Sequence, residues 1–230
     1  YRTCISNNVL RWRFGYRNPS PTFIIFEFTL MSNVKNCSAV IFKGDGTWER
    51  KDDFKIPEPP KGGAVLAVEA VGLCHSDVAQ LNGQKHVPGE VSPTVPGHEI
   101  VGRVYDLDSD SELGVEIGDR VAVHLAFGCG HCSHCLSGFT MLCSSWKCLG
   151  FDVDGGNADY VALPAANALL LPDEISFAGG AVMTDMIGSQ YYLQQKLHVA
   201  GNKRVAVIGL GPMGAAATLI ASGLGAEVIA

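Results

Sequence analysis

At 230 residues the chain is long enough to bury a sizeable core, in one large domain or two small ones. Its 47% hydrophobic and 17% charged content excludes a disordered polymer, and a net charge of -6 excludes the basic footprint of a dedicated nucleic-acid binder. Eight cysteines are too few for a disulfide scaffold of this length; four of them grouped at C-x2-C pitch point to metal binding in a reducing compartment such as the cytoplasm.

Residues 1–30 stand apart. Arg2, Arg11, Arg13 and Arg17 outnumber a single acid, Glu27. Organelle-targeting segments share that balance, but the helical face that targeting demands is missing. The expectation is a leader or a mis-assigned extension ahead of a start at Met31.

From Met31 the pattern is that of short strands. Residues 37–42 and 64–71 are apolar, partly alternating and β-branched, separated by the turn-rich Ile56-Pro57-Glu58-Pro59-Pro60-Lys61-Gly62-Gly63. Residues 100–104 and 120–125 repeat the signal around a turn at Ile117-Gly118-Asp119, and 158–162 and 168–171 add two more. Strands at this spacing predict a β-barrel-like domain with small helices in its crossings. After Pro172 the period changes. Residues 176–197 read as a helix with Ala181, Asp185 and Ser189 on one face at i, i+4 and i+8. Residues 204–208 read as a buried strand, followed by Gly209-Leu210-Gly211-Pro212-Met213-Gly214, a helix through Leu224, and a second strand from Glu227. Residues 205–226 carry no charge and could span a bilayer on length alone. Gly209, Gly211, Pro212, Gly214, Gly223 and Gly225 divide them into strand, turn and helix, so no membrane span is expected.

Three groups of residues carry chemistry. Cys129, Cys132 and Cys135, followed after seven residues by Cys143, have the pitch of a closed four-thiolate zinc site that welds a loop lacking its own core. The rival iron–sulfur reading wants a closer fourth cysteine followed by proline, whereas Ser144 follows Cys143. A second set comes from distant residues: Cys74 offers a thiolate, His98 an imidazole, and Asp185 or Glu99 a carboxylate. A mixed S/N/O set with one open position suits a catalytic zinc, although each residue alone has an ordinary structural explanation. Third, Gly209-x-Gly211-x-x-Gly214 follows a β-branched strand and opens a helix, the context of a dinucleotide-binding loop. There Gly209 allows the turn, Gly211 the approach of backbone to pyrophosphate, Pro212 the first helical position, and Gly214 close helix–strand packing.

Taken together, Gly72-Leu73-Cys74-His75-Ser76-Asp77, Pro96-Gly97-His98-Glu99-Ile100-Val101-Gly102, Ile117-Gly118-Asp119-Arg120-Val121, the four-cysteine lobe, Asp154-Gly155-Gly156-Asn157-Ala158-Asp159-Tyr160 and the glycine loop make the chain, from Met31 onward, resemble the zinc-containing medium-chain alcohol dehydrogenases. The family includes alcohol, sorbitol, butanediol and threonine dehydrogenases. The resemblance implies a GroES-like β-rich catalytic domain over residues 31–175, with its zinc lobe at 129–143. A linking helix and a Rossmann domain over 176–230 would follow, cut off after its second strand.

It also implies roles: Cys74, His98 and Asp185 as ligands of a catalytic zinc, Glu99 as a neighbouring carboxylate able to exchange with a ligand or water, and Ser76 as the hydroxyl that passes the alcohol proton outward. The implied activity is hydride transfer between an alcohol, a secondary alcohol or polyol, and NAD or NADP bound by Gly209, Leu210, Gly211, Pro212, Met213 and Gly214. Zinc would stabilise the alkoxide. Two zinc ions per chain, a small-molecule alcohol or carbonyl substrate, no nucleic-acid or membrane partner, and a homodimer or homotetramer at full length complete the expectation. Two departures from the family pattern stand out: Ala79 replaces a histidine that often continues the proton relay, and Asp159 replaces a glutamate. The acidic residue that would separate NAD from NADP falls past Ala230, and the chain alone is expected to be inactive and to expose apolar surface. A non-catalytic relative and the zinc-free quinone reductase branch are the alternatives; retention of Cys74, His98, Glu99 and Asp185 together argues against both.

Overall fold

A computed structural model describes residues 36–85, 87–111 and 114–230; the leader expected at 1–30 lies outside them. The chain opens with an antiparallel pair, β1 (Asn36–Phe42) and β2 (Trp48–Lys55). In β1 the alternation buries Cys37, Ala39 and Ile41. Strand β2, Trp48-Glu49-Arg50-Lys51-Asp52-Asp53-Phe54-Lys55, is almost wholly exposed and was not expected from the sequence. It is held by its ladder with β1, by surface pairs such as Lys43–Glu49 at 3.0 Å, and by Phe54, which packs against Ala39, Ile41 and Val95.

The central sheet has five antiparallel strands in the order β8-β3-β4-β5-β9: β3 (Gly63–Gly72), β4 (Glu99–Leu107), β5 (Arg120–Val123), β8 (Tyr160–Pro164) and β9 (Ala168–Leu170). Leu66, Ile100, Val104, Val121, Val123, Leu149, Val161 and Leu163 interlock as its core, each 2% exposed or less. These are the strands the apolar runs predicted. A short helix, α1 (His75–Leu81), leaves the end of β3. Two-residue strands β6 (Ala126–Phe127) and β7 (Lys147–Cys148) pair at the base of the cysteine loop, which carries a single turn, α2 (Ser133–Leu136).

The sheet is followed by a helical rod. Helix α3 (Phe177–Val182) starts at Ser176, whose hydroxyl accepts the Gly179 N–H at 3.1 Å. It packs through Gly180, where a methyl group would press on Leu171 and Val101. The rod was expected to be one regular helix over 176–197. Instead a π-helical turn, Met183–Ile187, separates α3 from α4 (Gly188–Lys196). Beyond it β10 (Arg204–Ala206), α5 (Pro212–Gly223) and β11 (Glu227–Ile229) form a parallel βαβ unit, with α4 tied to α5 by Gln194 Nε2 donating to the Ala217 carbonyl at 2.8 Å. Apolar side chains on this unit face water: Ile208 is fully exposed, and Leu219, Ile229 and Leu210 exceed 60%. Among the described residues no helix is long and apolar enough to cross a membrane.

Candidate functional site

The register of one strand pair brings the first candidate site together. The last residue of β3, Gly72, pairs with the first of β4, Glu99. Cys74 and His98 therefore leave adjacent strand ends at the same edge of the sheet. Gly72 leaves room for the Glu99 carboxylate, which occupies the space a methyl group there would need. Asp185 arrives from the π-helical turn. One ligand atom from each of Cys74, His98, Glu99 and Asp185 lies within 4.8 Å of all the others. His98 Nε2 is 3.6 Å from Asp185 Oδ2. Ligands on a tetrahedral zinc, at bonds of about 2.0–2.3 Å, stand about 3.3–3.8 Å apart, so the spacing suits one ion.

A residue to which the sequence reading gave no role ties two of these together. Asp77, 2% exposed, accepts the Cys74 backbone N–H through Oδ2 at 2.7 Å, while its Oδ1 lies 3.4 Å from His98 Nδ1. Both Oδ1 and Nδ1 are buried and have no other polar partner. A proton on Nδ1 facing Asp77 leaves the Nε2 lone pair free on the side of Asp185, as a metal-binding imidazole requires. The signal was in the sequence: Cys74 and Asp77 have the spacing of a capping box at the head of α1. Phe151 covers the imidazole, ring centroids 4.9 Å apart.

The electrostatics ask for a cation. Burial works against charge on His98, yet Asp185 and Asp77 outweigh it and raise the imidazole to about 10. Burial raises Glu99, opposed by His98 and assisted by the Asp185 and Asp77 charges. Asp185 is lowered, first by its hydrogen bond with His98. An anionic, mostly buried pocket that stabilises a proton on its own imidazole fits a divalent metal in that proton's place. Ser76 stands half-buried in the first turn of α1, and Ala79, the position of the missing relay histidine, is buried.

The second group also converges. Cys129, Cys132, Cys135 and Cys143 bring their sulfurs within 4.8 Å of one another, Cys132 and Cys135 at 3.5 Å. Backbone N–H groups of Cys132, Cys129 and Ser145 aim at the sulfurs of Cys129, Cys143 and Cys143, at 3.4, 3.4 and 3.3 Å. Such donors favour thiolates: those from His131 and Cys132 lead the causes that lower Cys129 to about 6. Desolvation raises Cys135 to about 12. Four sulfurs so close cannot all ionise without a cation between them, and the set fits zinc.

The glycine loop has the geometry its spacing predicted. Gly209 adopts φ +92, a left-handed turn open to glycine. Gly211 caps α5, Pro212 takes a first-turn position, and a methyl group on Gly214 would strike the Gly209 carbonyl. Space around Gly211 is open to 4 Å, so the N-terminal amides of α5 are accessible.

Residues 60–173 match the alcohol dehydrogenase GroES-like domain. A zinc-type alcohol dehydrogenase-like protein of Escherichia coli K12, YphC, is 31% identical over 205 residues, covering 85% of this chain and 57% of the relative. An alcohol dehydrogenase of Geobacillus stearothermophilus is 33% identical, covering 78% of this chain and 56% of its own. Among solved structures, acetophenone reductase from Geotrichum candidum in complex with NAD superposes with a TM-score of 0.72 at 32% identity, covering 84% of this chain and 57% of that one. The chain spans about half the length of the curated relatives it matches.

Proposed function

The chain belongs to the zinc-containing medium-chain alcohol dehydrogenase family, and from that premise we propose that the protein transfers a hydride between an alcohol and NAD or NADP. The observation that carries this is the convergence of Cys74, His98, Glu99 and Asp185 at one sheet edge. Cys74, His98 and Asp185 hold a catalytic zinc, and Cys129, Cys132, Cys135 and Cys143 hold a structural one. When bound, the catalytic zinc supplies a Lewis acid that lowers an alcohol pKa, and the nicotinamide supplies the hydride acceptor.

The chain's own residues do the rest. Asp77 fixes both the Cys74 backbone and the His98 ring, so two ligands are oriented by one buried carboxylate. Glu99, buried beside Gly72 and shifted toward its neutral form, is the carboxylate that can exchange with a ligand or water. Ser76 passes the substrate proton outward. With Ala79 in place of the relay histidine, that proton leaves through water. The open amides at the head of α5 bind the pyrophosphate, with Gly211 permitting its approach.

The catalytic domain spans residues 31–175, and residues 176–230 begin the cofactor domain. Secondary alcohols or polyols are the substrate class, the full-length protein is a homodimer or homotetramer, and a lobe closed by zinc thiolates rather than disulfides suits the reducing cytoplasm. The test is a panel of alcohols with the full-length gene product, followed at the nicotinamide absorbance with each cofactor. Activity on secondary alcohols that disappears with Cys74→Ser supports the reading. Turnover that survives Cys74→Ser overturns it.

A further inference from the structure

Asp185 lies inside the π-helical turn Met183–Ile187, and the turn is stitched by two hydroxyls. Thr184 donates to the Ala181 carbonyl at 2.7 Å, adding a side-chain bond to a carbonyl that also accepts a backbone N–H. Ser189 donates to Asp185 Oδ1 at 2.9 Å. The two oxygens of Asp185 therefore have different neighbours: Oδ1 meets the Ser189 hydroxyl, and Oδ2 faces His98 Nε2 at 3.6 Å.

We propose that Ser189 is a positioning residue of the Cys74–His98–Asp185 site, its hydroxyl holding Oδ1 of Asp185 so that Oδ2 is presented to a divalent metal ion. The inference rests on reading that site as a metal centre. The final torsion of an aspartate is broad, so the backbone alone does not fix the plane in which the carboxylate stands. The Asp185 side chain is 30% exposed, and water competes for whichever oxygen is free. A hydrogen bond from the next turn of the same rod fixes that plane before the metal arrives. Ser189 itself is exposed and belongs to no core cluster. Its role is carried by the hydroxyl rather than by packing, and alanine is the better helix former at the position.

The experiment titrates cobalt(II) or zinc against a chromophoric chelator in wild-type protein, Ser189→Ala, Ser189→Thr and Cys74→Ser. The four-cysteine site serves as an internal reference in each variant. Loss of a hydrogen bond that orients a metal ligand typically costs about 10–100-fold in affinity. We expect Ser189→Ala to bind at the lower end of that range, about tenfold weaker, with an altered cobalt visible spectrum and an unchanged melting temperature. Ser189→Thr restores wild-type affinity and spectrum. Wild-type affinity in Ser189→Ala overturns the proposal, as does failure of Ser189→Thr to restore it. If Cys74→Ser leaves metal binding unchanged, the metal reading itself has failed. If Cys74→Ser abolishes binding while Ser189→Ala matches wild type, only the role of Ser189 has.

Discussion

Nδ1 of His98 lies 3.4 Å from Oδ1 of Asp77, while the ring's other nitrogen lies 3.6 Å from Oδ2 of Asp185. One imidazole is thus held between a fully buried carboxylate and a partly open one. The buried partner also accepts the Cys74 N–H, so removing its charge disturbs two proposed ligands at once. Asp77→Asn keeps the shape and loses the anion. Zinc affinity at this site should fall about 10–100-fold while the four-cysteine site is unaffected, as chelator competition would register.

The same geometry makes metal uptake a proton-coupled event. Against its burial, Asp185 and Asp77 raise the metal-free His98 to about 10, so at neutral pH it carries a proton that zinc must displace. Affinity should rise with pH, by about tenfold per unit for each proton released, and level off near pH 10. For the metal-free fold the sign is opposite. The His98 contribution to stability is fully present below the unfolded value of 6.5 and is lost as pH rises through about 10. Calorimetry in buffers of different ionisation enthalpy counts the protons; a buffer-independent heat would contradict the assignment.

Two glycines of the loop should fail differently. A methyl group on Gly214 collides with the Gly209 carbonyl, so Gly214→Ala should destabilise the βαβ unit by about 1–3 kcal/mol. Gly211→Ala meets nothing within 4 Å and should fold normally, yet the added methyl group stands where the pyrophosphate approaches. Dinucleotide affinity should drop with an unchanged melting temperature, measured by fluorescence titration and a thermal scan.

The cysteine lobe has little besides its sulfurs to hold it: Leu136, Phe139, Met141 and Leu142 are all exposed. Cys135→Ser should release one zinc and open residues 129–143 to limited proteolysis, leaving the five-stranded sheet protected. Protection of the loop in that variant would mean the metal is not its fastener.

What could be read from the sequence followed physical signal strength. The strands of the sheet announce themselves because Leu66, Ile100, Val121 and Val161 must be apolar to fill its core. Cys129, Cys132, Cys135 and Cys143 are close in the chain, so spacing alone groups them. Asp185 is 87 residues from His98 and 111 from Cys74, so spacing could not join them. Strand β2 was invisible because six of its eight residues are exposed, which leaves no apolar alternation to read. The π-helical turn was invisible because one extra residue in a helix leaves no mark on composition. The Ser189 bond to Asp185 follows from the i, i+4 spacing that puts both on one face.

In the proposed arrangement one site of Cys74, His98 and Asp185 and another of four cysteines each hold a metal, with Glu99 standing by rather than ligating. Metal content of purified variants tests it most directly. Wild-type protein and Glu99→Gln should each return about two zinc ions per chain, and His98→Ala about one. Equal loss of zinc from Glu99→Gln and His98→Ala would contradict that division, and a single zinc ion in wild type that survives Cys74→Ser would contradict the site itself.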